Sequence, residues 1–136
     1  TGTLTAAAGV SGSISYNASG SVNGISLVSG SQLTVSQAGV YNIQFSAHAE
    51  CNAGADTIWM WFKKNGTNIS DSASKVVMAN NTAQLMTVNI LDTAATNDYY
   101  ELVWQNLNGD GELLGEAASG NIPAIPSVIT TITQVK

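Results

Sequence analysis

The chain has very few charged residues for its length of 136, and it has no arginine at all. Charged residues make up 10% of the sequence, and nine acidic residues against four lysines give a formal net charge of −5. Nucleic-acid-binding domains carry a basic patch, and membrane-surface segments carry clusters of lysine and arginine. The composition therefore argues against both kinds of partner. Uncharged polar residues and glycine must cover most of the surface.

Cysteine and long apolar runs are scarce as well. Cys51 is the only cysteine, which rules out an internal disulfide and a paired-cysteine metal site. No apolar run approaches the roughly 20 residues of a membrane-spanning helix, and no signal peptide is visible. We expect residues 1–12 to form an extended lead-in or linker, and residues 13–136 to form a single domain. We also expect the chain to be the C-terminal part of a longer one.

Helical periodicity is missing, while β-branched residues and turn signals are frequent. Asn65-Gly66 is the strongest turn signal, because a type I′ hairpin turn needs positive φ at both central residues. Residues 92–97 and 106–121 are predicted to be loops. The pattern indicates an all-β fold, a two-sheet antiparallel jelly-roll sandwich of about ten strands. The clearest strand patterns cover residues 13–16, 25–28, 33–35, 41–50, 58–62, 75–78, 85–91, 98–104 and 128–135.

The stretch from residue 39 to residue 66 holds the two most informative strand patterns. In residues 41–50, apolar and polar side chains alternate, which is typical of a half-buried strand. In residues 58–62, Trp59 and Trp61 occupy one face, while Ile58, Met60 and Phe62 occupy the other. Both faces of this strand are therefore apolar, and both need cover. The sequence leaves open which face points into the core.

These strands occur in a recognisable order. A Gly-Val-Tyr-x-Ile-x-Phe strand from Gly39 and a strand that ends in a Lys-Asn-Gly turn precede an Asp98-Tyr-Tyr-Glu-Leu strand. The set resembles the jelly roll shared by tumour necrosis factors and the globular heads of complement-type proteins. Asn97 stands where that family has a glycine, and Tyr100 stands where it has a valine. The resemblance covers residues 39–136.

Residues 65–73 and 122–129 also look like parts of the C-terminal domains of bacteriophage virion proteins, especially those of phages of marine cyanobacteria. The two resemblances together imply a homotrimer on the surface of a virion, with assembly and host attachment as its roles and with no catalysis. The partners would be other virion proteins or a host surface receptor or glycan. The aromatic residues that would form the trimer interface or the core are Trp59, Trp61, Tyr41, Phe45, Tyr100 and Trp104.

Two groups of polar residues are candidate sites. A loop at one end would bind a partner, and its spacing of oxygen ligands resembles the start of a calcium loop. Asp110 and Glu112 of this loop, and His48, are weak metal candidates, and Glu50 and Cys51 lie close to His48 in sequence. A solvated loop and a polar strand face explain the same residues without a metal. The candidate loop residues are Asn106, Asn108, Asp110, Glu112 and Glu116.

Catalytic patterns are weak. A hydrolase needs a nucleophile with an oriented base, or a pair of carboxylates whose pKa values differ. The only histidine has no nucleophile motif with it, and Asp110 and Glu112 share one loop. We therefore expect a non-enzymatic trimeric knob or fibre-tip domain of a phage virion. The alternative hypothesis is a secreted carbohydrate- or calcium-binding module of the lectin type, and a glycan-degrading enzyme domain ranks far behind.

Overall fold

The computed structural model describes residues 2–20 and 22–136, so Thr1, the first residue of the predicted lead-in, lies outside the described residues. The described residues form eleven strands and no helix, and none of their structure could span a membrane as a long apolar helix. The strands are β1 (Gly12–Ser13), β2 (Ile25–Val28), β3 (Gln32–Val35), β4 (Gly39–Cys51), β5 (Asp56–Lys64), β6 (Thr67–Asn68), β7 (Ser74–Met78), β8 (Thr82–Ala94), β9 (Tyr99–Asn106), β10 (Gly111–Leu113) and β11 (Val128–Gln134).

The strands form two antiparallel sheets. In the seven-stranded sheet the central strands β5 and β9 pair with each other; β6 and β7 flank β5, whereas β1 and β3 flank β9, and β2 lies beyond β3. In the four-stranded sheet, β4 is central, with β8 along one side and β10 and β11 along the other. The chain crosses repeatedly between the sheets. The predicted all-β antiparallel sandwich is therefore confirmed, and its connectivity is jelly-roll-like.

The core lies between the two sheets and follows the alternation of the central strands. The inward-facing apolar side chains of β4 pack against the inward-facing apolar side chains of β5 and β9 in the other sheet. The ring of Phe45 packs edge-on against that of Phe62, with centroids 5.7 Å apart. The inward side chains of these three strands include Tyr41, Ile43, Phe45, Ala47, Ala49, Cys51, Ile58, Met60, Phe62, Tyr100, Leu102 and Trp104, and none is more than 4% exposed.

The hairpin between β5 and β6 forms as predicted. Asn65 and Gly66 have φ values of 51° and 83°, and Lys64 pairs with Thr67 across the two-residue turn. A positive φ strains most residues that have a Cβ atom but not glycine, which explains Gly66 at the second turn position. The side chain of Asn65 also bonds the next turn, since its Oδ1 accepts the N–H of Tyr99 at 3.0 Å and its Nδ2 donates to Asp98 at 2.8 Å.

Three sequence-based boundaries were wrong. The loop predicted from residue 92 begins later, because β8 continues to Ala94; Asp92 is accommodated there by the hydroxyl of Tyr100 at 2.6 Å and the ammonium of Lys64 at 2.9 Å. The loop predicted for residues 106–121 contains β10 and begins with the last residue of β9. The first predicted strand pairs only at Gly12–Ser13, because the chain then turns to bond Gly30 through the N–H of Tyr16.

The N-terminal residues lie along the sandwich rather than apart from it. Leu4 exchanges two backbone hydrogen bonds with Leu113 of β10, at 2.8 and 3.0 Å. Further along, the N–H of Gly9 donates to the carbonyl of Asn106 at 3.0 Å. The described part of the predicted lead-in is thus attached to the same end of the domain as the predicted binding loop.

Candidate functional site

The predicted binding loop after β9 is organised by one buried carboxylate that the sequence analysis did not identify. Asp56, the first residue of β5, is 3% exposed. Its Oδ1 accepts backbone N–H groups at 2.7, 3.1 and 2.8 Å, and its Oδ2 accepts two more at 2.9 and 2.7 Å. The five donors belong to Thr57, Leu107, Asn108, Asp110 and Gly111.

This arrangement favours the ionised form of Asp56. Burial alone would raise the pKa of the carboxyl, but the backbone N–H groups of the loop outweigh that effect and hold the pKa below its usual value. The loop leads from β9 in one sheet to β10 in the other. Asp56 therefore fixes the crossing between the two sheets, and a Cβ at Gly111 would come within 2.9 Å of the side chain of Ile58.

The predicted loop residues do not converge on one point. Asn106 is fully buried and donates to the carbonyls of Ala6 and Gly111 at 3.1 and 2.9 Å, so its side chain points inward. Asn108 is exposed and donates to Ala55, whereas Glu112 lies in β10 opposite Glu50. Of the other two predicted residues, Asp110 is partly exposed and Glu116 is exposed, and the backbone of Glu116 pairs with Ile125.

The metal candidate His48 and its two neighbours in sequence, Glu50 and Cys51, do not all point in the same direction. His48 and Glu50 lie on the outer face of β4, but Cys51 points into the core and is fully buried. Burial raises the pKa of the Cys51 thiol, and the nearby carboxylates, Asp56 foremost, raise it further. A metal ligand needs the thiolate. Among residues 2–20 and 22–136, no three His, Cys, Asp or Glu side chains gather as a metal-binding group.

The outer face of the four-stranded sheet is a broad uncharged surface, called here the neutral face. Over four successive outward positions of β4, from Asn42 to His48, the side chains opposite in β8 and β11 include no lysine, aspartate or glutamate. Leu85, Leu91 and Ile129 are 53%, 66% and 53% exposed on this surface. The neutral face consists of Asn42, Gln44, Ser46, His48, Leu85, Thr87, Asn89, Leu91, Ile129, Thr131 and Thr133.

The outer face of the seven-stranded sheet is different, and it settles the orientation of β5. Ile58, Met60 and Phe62 point into the core with no exposed surface, so Trp59 and Trp61 point outward, where both are partly buried. The other four aromatic residues of the predicted interface or core set, Tyr41, Phe45, Tyr100 and Trp104, belong to the core.

Trp59 and Trp61 line a shallow pocket of about 340 Å³ on this outer face, called here the tryptophan pocket. Trp61 donates its indole N–H to Oδ1 of Asn68 at 2.8 Å, and the ammonium of Lys75 lies 6.0 Å from the ring centroid of Trp59. Two aromatic side chains beside amide and carboxylate groups are typical of a small-molecule site. The lining residues are Trp59, Trp61, Asn68, Ile69, Asp71, Ala73 and Gln105.

A larger cleft of about 710 Å³ separates the β2–β3 hairpin from β11. Among the described residues β11 pairs only with β4, so its other backbone edge faces this cleft. A 2.6 Å hydrogen bond between the hydroxyls of Tyr16 and Thr130 crosses the cleft. Desolvation raises the pKa of Tyr16 to about 12, so this phenol stays protonated at neutral pH and can donate.

The molecule thus presents four features: the Asp56 loop, the neutral face, the tryptophan pocket and the cleft beside β11. The first stabilises the fold, whereas the other three are surfaces that a partner could occupy. No protein-family model matches the chain. No curated protein shows a significant match to it either, so the role of each surface has to be inferred from its own residues and geometry.

Proposed function

We propose that this chain is a non-enzymatic structural domain that assembles as a homotrimer and forms a knob or fibre tip on the surface of a phage virion. There it would contact other virion proteins or a host surface receptor or glycan. The virion assignment is supported by the resemblance of residues 65–73 and 122–129 to phage virion proteins. The trimer is supported by the resemblance of the strand motifs in residues 39–136 to the tumour necrosis factor jelly roll and by one surface of the molecule.

The observation that carries the assembly proposal is the neutral face. A sheet face that meets water in a monomer normally carries charged side chains, and this one has no lysine, aspartate or glutamate over four successive rows, three of which span β4, β8 and β11. Leu85, Leu91 and Ile129 are each more than half exposed there. Interface cores are depleted in charged residues, and burial in an assembly removes exposed apolar area from water.

The charge distribution favours the neutral face over the face that carries the two outward tryptophans. On the seven-stranded sheet, Lys75 pairs with Trp59, and Lys63 pairs with Glu101 one step from Trp61. Burying these charges against a neighbouring protomer would cost free energy unless each found a partner. We therefore place the protomer contacts on the neutral face, and leave the tryptophan pocket outward in the assembled trimer.

Three protomers related by a three-fold axis make heterologous contacts that close into a ring, and each ligand site then occurs three times. Such repetition strengthens attachment to a surface that displays many copies of a receptor, even where one site binds weakly. A secreted carbohydrate-binding module of the lectin type is the second candidate. The tryptophan pocket favours it, because aromatic rings beside amide and carboxylate groups suit a sugar.

Sedimentation equilibrium of the chain tests the assembly. We expect a particle of three times the 14.0 kDa chain mass at micromolar concentration. Leu91→Lys, on the neutral face, should give monomers, because three lysines would be buried without partners. Val77→Lys is the matched control, since Val77 is also an apolar edge-strand residue, 70% exposed, but lies on the opposite sheet. A monomeric parent chain, or two variants with equal effects, would contradict the proposal.

A further inference from the structure

We propose that the tryptophan pocket binds a neutral saccharide, with a sugar ring stacked against the indoles of Trp59 and Trp61 and its hydroxyls bonded by Asp71, Asn68 and Gln105. This inference deepens the host-attachment role proposed above and rests on it, since it names the chemical class that the domain would recognise. It does not depend on the trimer, because all the residues belong to one chain.

Two indoles on one face of β5 form the floor of the pocket. Trp59 and Trp61 are alternate residues of β5, so their side chains leave the sheet on the same side, about 7 Å apart along the strand. Trp61 donates its indole N–H to Asn68, and the ammonium of Lys75 lies over the ring of Trp59. Val103, opposite Trp61 in the register, is 2% exposed although it lies on this outer face, so neighbouring groups on this face cover it. An indole held in place loses little freedom when a ligand stacks on it.

The rim of the pocket is also fixed before any ligand arrives. Ser72 is fully buried; its hydroxyl accepts the N–H of Phe62 at 3.0 Å and donates to the carbonyl of Ile69 at 2.8 Å. These bonds attach the connection between β6 and β7 to the sheet. The neighbouring Asp71 has a φ of 62°, a left-handed conformation that residues other than glycine adopt infrequently. The hydrogen bonds of the buried Ser72 thus fix the backbone next to Asp71 at the pocket rim.

The polar side chains of the pocket have unused hydrogen-bonding capacity. The Asp71 carboxylate and the Gln105 amide make no hydrogen bond to any other described residue, and Asn68 uses only its Oδ1. A carboxylate accepts two hydroxyl hydrogens, and an amide both donates and accepts. Adjacent hydroxyls on a sugar ring supply donors and acceptors in the same arrangement. The C–H face of such a ring is apolar and suits an indole.

Size and charge select this ligand over other occupants. The volume of about 340 Å³ falls at the small end of ligand sites and is too small to take a secondary-structure element of a protein partner. The chain has a net charge of −5, and the only carboxylate in the pocket is Asp71. An anionic sugar or phosphate would place its charge beside the Asp71 carboxylate, whereas Lys75, which lies over Trp59, is not among the lining residues. A neutral sugar uses the apolar floor and the polar rim together.

The test is titration of the full chain with glucose, galactose, mannose and N-acetylglucosamine, each at millimolar concentration, followed by tryptophan fluorescence and by calorimetry. Trp104 is 4% exposed in the core, so a change in emission reports on the two outward tryptophans. We expect at least one of these sugars to bind, and N-acetylneuraminic acid, which is anionic, not to bind. If none of the four neutral sugars binds, the proposal is overturned. It is also overturned if a proline-rich peptide, another ligand of aromatic-lined grooves, occupies the pocket in their place.

Variants locate the binding. Asp71→Asn keeps the shape of an exposed side chain and should weaken sugar binding about tenfold or more, because one charge-assisted hydrogen bond is lost. Gln105→Ala should also weaken it, and Trp61→Ala should abolish it. Val77→Ser, on the same face but outside the pocket, should leave it unchanged. Unchanged binding in both Asp71→Asn and Gln105→Ala would overturn the assignment even if Trp61→Ala failed to fold. Sedimentation of the same samples reports the oligomeric state, so a parent chain that forms the trimer but binds none of the neutral sugars contradicts this inference alone.

Discussion

The two outer faces of the sandwich present different chemistry. The neutral face on the four-stranded sheet has scattered aliphatic side chains, such as Leu85 and Leu91, among uncharged polar ones. The opposite face carries two neighbouring tryptophans, with lysine, glutamate and amide groups around them. The first surface extends over β4, β8 and β11, and the second has a pocket.

This difference bears on what each face can contact. A broad surface without charge suits another protein surface, because no buried ion has to be matched across the contact. A small aromatic pocket with unsatisfied polar groups suits a small ligand. We infer that the domain separates assembly and recognition onto opposite sheets, with the core between them.

The largest predicted effect is on the free energy of unfolding, which should fall more when a core tryptophan is replaced than when an outward one is. Trp104→Ala should lower the free energy of unfolding by about 3–5 kcal/mol, because it leaves a cavity in the core. Trp61→Ala should lower it by about 1–2 kcal/mol, since Trp61 is only partly buried on the outer face. Urea denaturation of the two variants under conditions that dissociate the assembly measures both values. Equal losses would contradict the orientation of β5.

The sequence predicted which face of the alternating strands is buried, but it did not predict which face of β5 points into the core. In β4 every second residue is polar, so only one face could enter the core, and the burial of Tyr41 and Phe45 follows the predicted pattern. In β5 both faces are apolar, and hydrophobicity alone gives no preference. The choice depends on pairing across the sheet, where Trp59 lies opposite Gln105 and Lys75. Such long-range neighbours are not visible in a local pattern.

The candidate loop was located from the sequence, but its organisation was not. Spacing of oxygen-bearing residues suggested that Asn106, Asn108 and Asp110 would act together on a ligand. In the structure the backbone of this loop donates to Asp56, which lies about fifty residues earlier in the chain. Nothing near Asp56 in the sequence identifies it, because its partners are main-chain N–H groups that every residue except proline possesses.

The second largest effect concerns Asp56, which joins the two sheets that carry the contrasting faces. Asp56→Asn should lower the free energy of unfolding by about 3 kcal/mol, because an amide NH₂ would face N–H donors and the anion would be lost. Asp110→Asn is the control: Asp110 contributes its backbone N–H, which the substitution retains. Urea denaturation at neutral pH gives both values. A loss in the control equal to that in Asp56→Asn would show that the loop depends on its overall charge.

The same carboxylate predicts how stability depends on pH. The pKa of Asp56 is lower in the folded chain than the usual value of about 3.9, so its contribution is complete above that value and is lost as the pH falls towards the folded-state pKa. The pKa of Asp98 is also lowered in the folded chain, chiefly by its hydrogen bond from the side chain of Asn65. Unfolding of the parent chain should therefore become easier below about pH 4, and Asp56→Asn should reduce this dependence. Melting temperatures of both chains from pH 2 to 7 measure it.

The smallest effect on the free energy of unfolding is expected for residues of the neutral face that contact only a neighbouring protomer. Leu91 is 66% exposed, so Leu91→Lys should change the free energy of unfolding of the dissociated chain by less than about 0.5 kcal/mol. Val77→Lys should do the same. Denaturation at concentrations low enough to dissociate the assembly makes the comparison. A larger loss for Leu91→Lys would mean that Leu91 supports its own chain, and its effect on assembly would then be indirect. A small loss together with monomers in sedimentation identifies Leu91 as a residue whose apolar side chain serves a contact between chains.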